Sequence, residues 1–393
     1  MIAKKRGDYL IRRWLWSIDS VLLLLIITII GIGALLVATA SPAVAERLGL
    51  HSFYFVHRQL IFLSAAIFII IILSMCSEKT IKRVSLLGFV VCLFFMLLTL
   101  FIGDEVKGAV RWITIKGFSI QPSEFLKPFY IVICATLLAE RYTNRGFPSF
   151  RVCSALHLLV LSLLLLQPDF GMAVVVTVVL ISQFFLAGLS MLWIMIAGIS
   201  AIVATAMAYT YLPHVTKRIN SFLYADSGAN YQVDKSLESY VSGGLFGKGP
   251  GEGIVKTKLP DSHADFIFSV AGEEFGAIIT SLIIILFFIV ILRALSRVYK
   301  ENSLFNIYTA SGIIILFAMH VIFNIGMTMK LFPTKGMTLP FASYGGSSTL
   351  SFAICMGILL SITKRKDVWH SHINRKFLAS QVKLTSGKYT QWT

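Results

Sequence analysis

The side chains that could do chemistry in this chain sit in a few short polar segments. One is Leu259-Pro260-Asp261-Ser262-His263-Ala264-Asp265-Phe266-Ile267-Phe268, where a polar stretch turns apolar at Asp265. A carboxylate at such a boundary can take a proton from a substrate hydroxyl as a general base. It can equally cap a helix or complement its dipole. His263 with Asp261 and Asp265 hints at a metal, yet no second His or Cys cluster completes a zinc set. A Mg²⁺ bridging Asp265 and a diphosphate suits the oxygen ligands better.

A second segment, Gln121-Pro122-Ser123-Glu124-Phe125-Leu126-Lys127, opens an apolar run. Pro122 fits the first turn of a helix, where its missing N–H costs nothing. Glu124 and Lys127 are three apart and share a face, so they can pair. Either the pair is buried and fixes packing, or it lines a polar cavity in which Lys127 meets an anion such as a diphosphate. Arg111 beside Trp112 reads as an interfacial anchor or as a cation for a phosphate. The run from Pro333 to Ser348 holds two prolines and paired glycines next to an apolar run. At membrane depth such non-helical backbone is tolerated only when buried in protein or lining a cavity. Lys335 and Ser343 lie in it and join Gln121, Arg111, Glu124 and Lys127 as candidate substrate or diphosphate contacts. The glycine-rich stretch Gly243–Gly253 lacks GxxxxGK[ST] spacing and a βαβ setting. A compact loop needing positive φ is the preferred reading over a phosphate cradle.

The elements that must position these groups follow from composition. Of 393 residues, 56% are hydrophobic and only 14% charged, against about 25% charged in an ordinary soluble chain. Too few charges remain to cover a soluble surface, so a polytopic all-α membrane bundle is expected. The net charge of +16 belongs to loops facing anionic headgroups. No basic stripe interleaves with stacking aromatics, so nucleic acid is not an expected partner. The five cysteines lie in or beside apolar runs, without disulfide or CxxC patterning.

Charge-poor runs at Val21–Ala40, Leu60–Cys76, Val84–Gly103, Gln121–Ala139, Val152–Gln167, Phe275–Leu292, Asn302–Met329 and Gly345–Thr363 each suit one span of about 20 residues. Phe170–Thr216 is too long for one and divides at Ala187–Ser190, which makes ten. Val21–Ala40 is longer than a signal-peptide core and reads as a first span. Placing both termini in the cytoplasm puts most Lys and Arg inside. The expected organisation is a cytoplasmic segment 1–18, a membrane domain 19–363 with a large outer loop near 214–264 between the seventh and eighth spans, and a basic cytoplasmic tail 364–393. The chemistry then gathers at the outer face.

Taken in order, GAVRWI (Gly108–Ile113), QPSEFLKP (Gln121–Pro128), QPDFG (Gln167–Gly171), the glycine loop, LPDSHADFIF (Leu259–Phe268) and LPFASYGGSS (Leu339–Ser348) closely resemble the FtsW/RodA/SpoVE (SEDS) family of bacterial membrane glycosyltransferases. The resemblance runs from about Trp14 to Lys366. Pro333–Gly336, Gly249–Gly253, Ile18-Asp19 and Ala40–Ala45 look like the division branch. Val110, Ala264 and Lys235 depart from its usual residues, and Ala264 removes a hydroxyl beside Asp265.

The resemblance implies a ten-helix enzyme of the bacterial cytoplasmic membrane, at the septum. It would polymerise lipid II into β-1,4 glycan strands with inversion, beside a class B penicillin-binding protein and other divisome membrane proteins. The family's essential aspartate maps onto Asp265, and its cavity residues onto Arg111, Glu124 and Lys127. A lipid II flippase, an elongation-type polymerase and a scaffold for a transpeptidase are the alternatives.

Overall fold

The computed structural model describes residues 14–106, 109–115, 118–211, 215, 216, 220, 231–333 and 336–364. The molecule is an all-α bundle. In chain order its apolar helices are α1 (Ser20–Arg47), α2 (Tyr54–Met75), α3 (Glu78–Ile102), α4 (Pro122–Thr143), α5 (Ser149–Leu166), α6 (Phe170–Leu186) and α7 (Met191–Tyr211). After a shorter loop helix, α8 (Tyr231–Gly243), come α9 (Ile267–Val298), α10 (Leu304–Thr328) and α11 (Gly346–Ile362). Seven are long and apolar enough to cross a membrane. With α6, α7 and α11 they make ten apolar helices among the described residues. The division of Phe170–Thr216 falls where the turn residues placed it, between Leu186 and Met191.

Large apolar side chains cover the outside of the bundle, among them Leu24, Phe68, Leu87, Leu282 and Phe288. That pattern suits hydrocarbon, which satisfies no backbone polar group and so demands continuous helices. The central helices differ. Within their most apolar windows α4 and α10 are 67% buried, against 28% for α2, α3, α5 and α9. Their polar residues therefore face protein, and both carry side chains of the site described below. An aromatic column, Phe287–Phe317–Phe352–Phe341, with ring centroids 5.8, 6.0 and 6.3 Å apart, ties α9, α10, α11 and the segment before α11 into one core.

One departure from an all-helical reading lies between α3 and α4. Asp104–Val106 (β1), Ala109–Ile115 (β2) and Phe118–Ile120 (β3) form a small antiparallel sheet in the order β1-β2-β3. Its run Ile113-Thr114-Ile115 is β-branched, a strand signal too short to register beside the membrane runs.

The far end of the bundle is closed by Asp19, which caps α1 by accepting from Val21 and Leu22. Its carboxylate also receives Arg293 at 2.9 and 3.0 Å, and Arg297. Burial alone would raise its pKa. The hydrogen bonds from Arg297 and Arg293 outweigh that and hold it down at about 2. The clamp's stability is therefore complete above the ordinary carboxylate value and lost as pH falls from about 3.8 towards 2. The melting-temperature gap between the native chain and Asp19→Asn should narrow over that window and stay constant from pH 5 to 7. A gap unchanged at pH 2.5 would contradict this.

The glycine loop has a specific structural task. α9 is broken at Gly276, whose φ is +76, so the hydrogen bonds normally spanning that turn are missing. The loop after α8 supplies them. Lys248 N and Gly249 N donate to the carbonyls of Glu273 and Glu274, and Ala277 N and Ile278 N donate to Gly244 and Leu245. A Cβ at Gly247 (φ +78) would meet the Glu274 carbonyl. The compact-loop expectation holds, and these loop amides are spent on the helix break.

Candidate functional site

At the end of the bundle where α1, α3, α5 and α10 finish, a cavity of about 690 Å³ opens among the loops. Asp265, Arg111, Gln121 and Glu124 line it together, joined by Arg58, Asp169, Asp261, His263, Ser347 and Ser348. The long loop, the sheet, the first turn of α4 and the segment before α11 thus converge, although they are far apart in sequence.

Asp265 lies in the turn Asp261–Phe266 that precedes α9. Phe266 is the residue at the N-cap, so Asp265 does not cap the helix. The turn is held through its backbone. Ala264 N donates to the Asp261 carbonyl at 3.0 Å, and Tyr344 N to the His263 carbonyl at 2.9 Å. Asn324, fully buried on α10, donates to the carbonyls of Asp265 (2.9 Å) and Met337 (2.6 Å), joining two loops with one amide. Beyond it Gly336 leaves room, since a Cβ there would stand 3.2 Å from Asp265 Oδ2. Upstream, Glu273 accepts from the amides of Ile254, Val255 and Lys256 at 2.7, 2.7 and 2.9 Å. Lys256 in turn reaches Glu274, and the carbonyls of Thr39 (2.9 Å) and Gly251 (2.8 Å). The segment leading to Asp265 is fixed to both α1 and α9.

Arg111, on β2, donates through Nε to the Gln167 carbonyl (3.0 Å) and through Nη2 to that of Pro168, with Asp169 Oδ1 3.6 Å from Nη1. The sheet is thereby fastened to the α5–α6 turn, which explains why the GAVRWI and QPDFG segments belong together. Gln121 N bonds Ser347 Oγ (3.1 Å), and Ser351 Oγ bonds the Glu124 carbonyl (2.6 Å), so α4 and α11 share a polar wall.

Lys127 departs from the cavity-facing reading. It is 1% exposed and sits beneath Glu124, with Nζ 2.7 Å from Glu124 Oε2 and 3.1 Å from His320 Nε2. An ammonium only donates, so His320 accepts at Nε2 and carries its proton on Nδ1, directed at the Leu316 carbonyl 3.1 Å away. The cation braces Glu124 from below and does not line the cavity, because three residues along α4 carry it one turn deeper. Ser343 is also absent from the lining. Its hydroxyl accepts from Leu339 N (2.9 Å) and its carbonyl from Gln59 Nε2 (3.2 Å), which holds the tight turn before α11. Phe341 in that turn has φ +61, and its carbonyl lies where a Cβ on Gly33 of α1 would be. Lys335 lies outside the described residues. Among the described residues no three His, Cys, Asp or Glu side chains gather to hold a metal.

Sequence reasoning missed Arg58, Asn324 and His320. Arg58 lines the cavity with its guanidinium 5.2 Å from the Tyr54 ring centre. The signal for it was a basic residue at an end of the bundle where the positive-inside pattern places few. His320 and Asn324 are four apart in an otherwise apolar run, one helical face carrying two polar groups, which marks a protein-facing stripe.

The model of the FtsW/RodA/SpoVE cell cycle protein family matches residues 19–368. The chain belongs to this family. A "Probable peptidoglycan glycosyltransferase FtsW" of Caulobacter vibrioides is 37% identical over 354 residues, 90% of this chain and 91% of that one. The stage V sporulation protein E of Bacillus subtilis is 32% identical over 360 residues, 88% and 97% of the two chains. A solved peptidoglycan synthase complex that coordinates polymerization and crosslinking superposes with TM-score 0.74 at 25% identity, over 88% of this chain and 97% of its counterpart. The rod shape determining protein RodA of Thermus thermophilus has the same fold, with TM-score 0.64 at 24% identity over 88% of this chain and 96% of the other.

Proposed function

We propose that this family member is a peptidoglycan glycosyltransferase that joins lipid II into β-1,4 glycan strands at the outer face of the cytoplasmic membrane during septal wall synthesis. The observation that carries the reading is one polar cavity at one end of an apolar bundle, in which a half-buried carboxylate, Asp265, faces the basic and amide groups of Arg58, Arg111 and Gln121. The opposite end collects Lys79, Lys82, Arg83, Arg141, Arg145, Arg151 and Lys300, the composition of a cytoplasmic face. The cavity then opens outward.

A lipid-linked donor reaches such a site through the membrane and needs no soluble nucleotide. Asp265 removes the proton from the GlcNAc 4-hydroxyl of the acceptor. That oxygen attacks the α-linked anomeric carbon of the donor MurNAc, the C1–O bond to the diphosphate breaks, and a β-linkage forms with inversion. Arg111 and Arg58 stabilise the charge that grows on the departing diphosphate. Glu124, braced by Lys127, accepts hydrogen bonds from sugar hydroxyls or amides. Asp265 and Asp261 supply the hard oxygen donors that would hold a Mg²⁺ arriving with the diphosphate, where it would neutralise phosphate charge. A class B penicillin-binding protein is the expected partner that cross-links the strands, and the peptidoglycan synthase complex of similar fold supports that pairing.

The purified chain, reconstituted with its transpeptidase partner and given lipid II, should yield glycan polymer. Passage of lipid II across the vesicle without polymer would make it a flippase instead. Asn324 offers a finer check, because it holds the backbone of Asp265 and touches no reacting atom. Asn324→Leu should lower the rate at saturating lipid II by up to about 100-fold while KM stays within about twofold, and Gly336→Ala, which crowds the carboxylate, should do the same more mildly. Rates that fall only in step with the melting temperature would leave these residues a purely structural role.

A further inference from the structure

We infer that Leu245 and Phe246, the tip of the glycine loop, are seated in the hydrocarbon edge of the bilayer and moor the loop there. Both are large apolar side chains left outside the protein, at 64% and 82% exposure, and Val241 (84%), four residues before, and Ile254 (62%), eight residues after, are exposed too. In water this would be an unprotected apolar cluster at the end of a flexible-looking glycine run.

The loop is not loose. The carbonyls of Gly244 and Leu245 accept from Ala277 and Ile278 of α9, so the tip is pinned against the membrane-spanning part of that helix. Immediately along α9, Ile278, Ile279, Leu282 and Phe288 are exposed and apolar, which is the face a bundle turns to lipid tails. Leu245 and Phe246 extend that face by one step beyond the helix break. Exposed Lys248 follows two residues later, placed to meet anionic headgroup phosphates as the apolar pair enters below them. An aromatic at the boundary with a lysine beside it is the composition of an interfacial anchor. Lipid continuous with that on α9 is the occupant this arrangement fits.

The consequence reaches the cavity. The same loop completes the hydrogen bonds of α9 at Glu273 and Glu274, and those carboxylates hold the segment entering Asp265. Mooring the tip fixes that frame relative to the bilayer from which a lipid-linked molecule would arrive. The inference requires only that the chain is a membrane protein and does not depend on the chemistry of the cavity.

Photo-crosslinking on the full chain in native membranes tests it. A p-benzoylphenylalanine replaces Phe246 in one variant, Phe288 in a second as the lipid-facing reference, and exposed Asn302 in a third as the aqueous reference. Phospholipid adducts at position 246 should approach the yield at 288 and clearly exceed that at 302. Adducts to another protein in place of lipid would assign the tip to a protein partner and overturn the inference. Absence of any lipid adduct at 246 while 288 labels would place the tip in water and overturn it too.

Discussion

Asp265→Asn should abolish polymerisation, with a loss of about 10²–10⁴-fold, while the chain stays folded and still binds lipid II. The substitution changes almost no volume and removes the negative charge together with the ability to take up a proton. The turn that presents residue 265 is held by bonds to the Asp261, His263 and Asp265 carbonyls, and the substitution leaves these in place. Melting temperature should therefore move little, which separates chemistry from collapse. Product length on gels and single-turnover rates with the transpeptidase partner present provide the readout. Turnover within a few-fold of the native chain would remove Asp265 from the role of base, and the cavity would then need another proton acceptor, Asp261 being the next carboxylate along its wall.

The bundle was legible because hydrocarbon imposes a single rule, that backbone polar groups be satisfied within each segment, and apolar runs of helical length follow directly from it. Even the split of the long charge-free stretch at Ala187–Ser190 could be read from turn residues. Asp265 and Gln121 were legible for a related reason, since polar side chains at the edge of apolar runs must face something other than lipid. Depth was harder to read. Glu124 and Lys127 are three residues apart, and helical spacing says that they share a face but not which of them meets the cavity. That depends on where α10 brings His320, a contact 193 residues away in sequence. Ser343 looked like a ligand because it is polar within a glycine-rich link, but tight turns also need hydroxyls to satisfy their own amides. The break in α9 at Gly276 was hidden because its missing hydrogen bonds are supplied by a loop whose glycines resemble a phosphate cradle.

Lys127→Met should be the most destabilising single change in the site, by about 3–5 kcal/mol, the usual result of stranding one member of a buried ion pair. Two acceptors lose their donor at once, Glu124 Oε2 and His320 Nε2. Glu124→Gln combined with Lys127→Met should recover much of the melting temperature, because no lone charge then remains at that depth. Activity should not recover with it, since the carboxylate that faces the cavity is gone. The charge-swapped pair, Glu124→Lys with Lys127→Glu, provides the sharper contrast. It preserves the attraction between the two positions but sets a carboxylate against the Nε2 lone pair of His320, which must then either take up a second proton at depth or shift its proton and lose its bond to the Leu316 carbonyl. It also turns a cation into the cavity beside Arg111 and Gln121. The swap should therefore stay inactive and melt below the native chain. If it restored full polymerisation, the pair would be packing alone, and Glu124 would have no part in holding substrate.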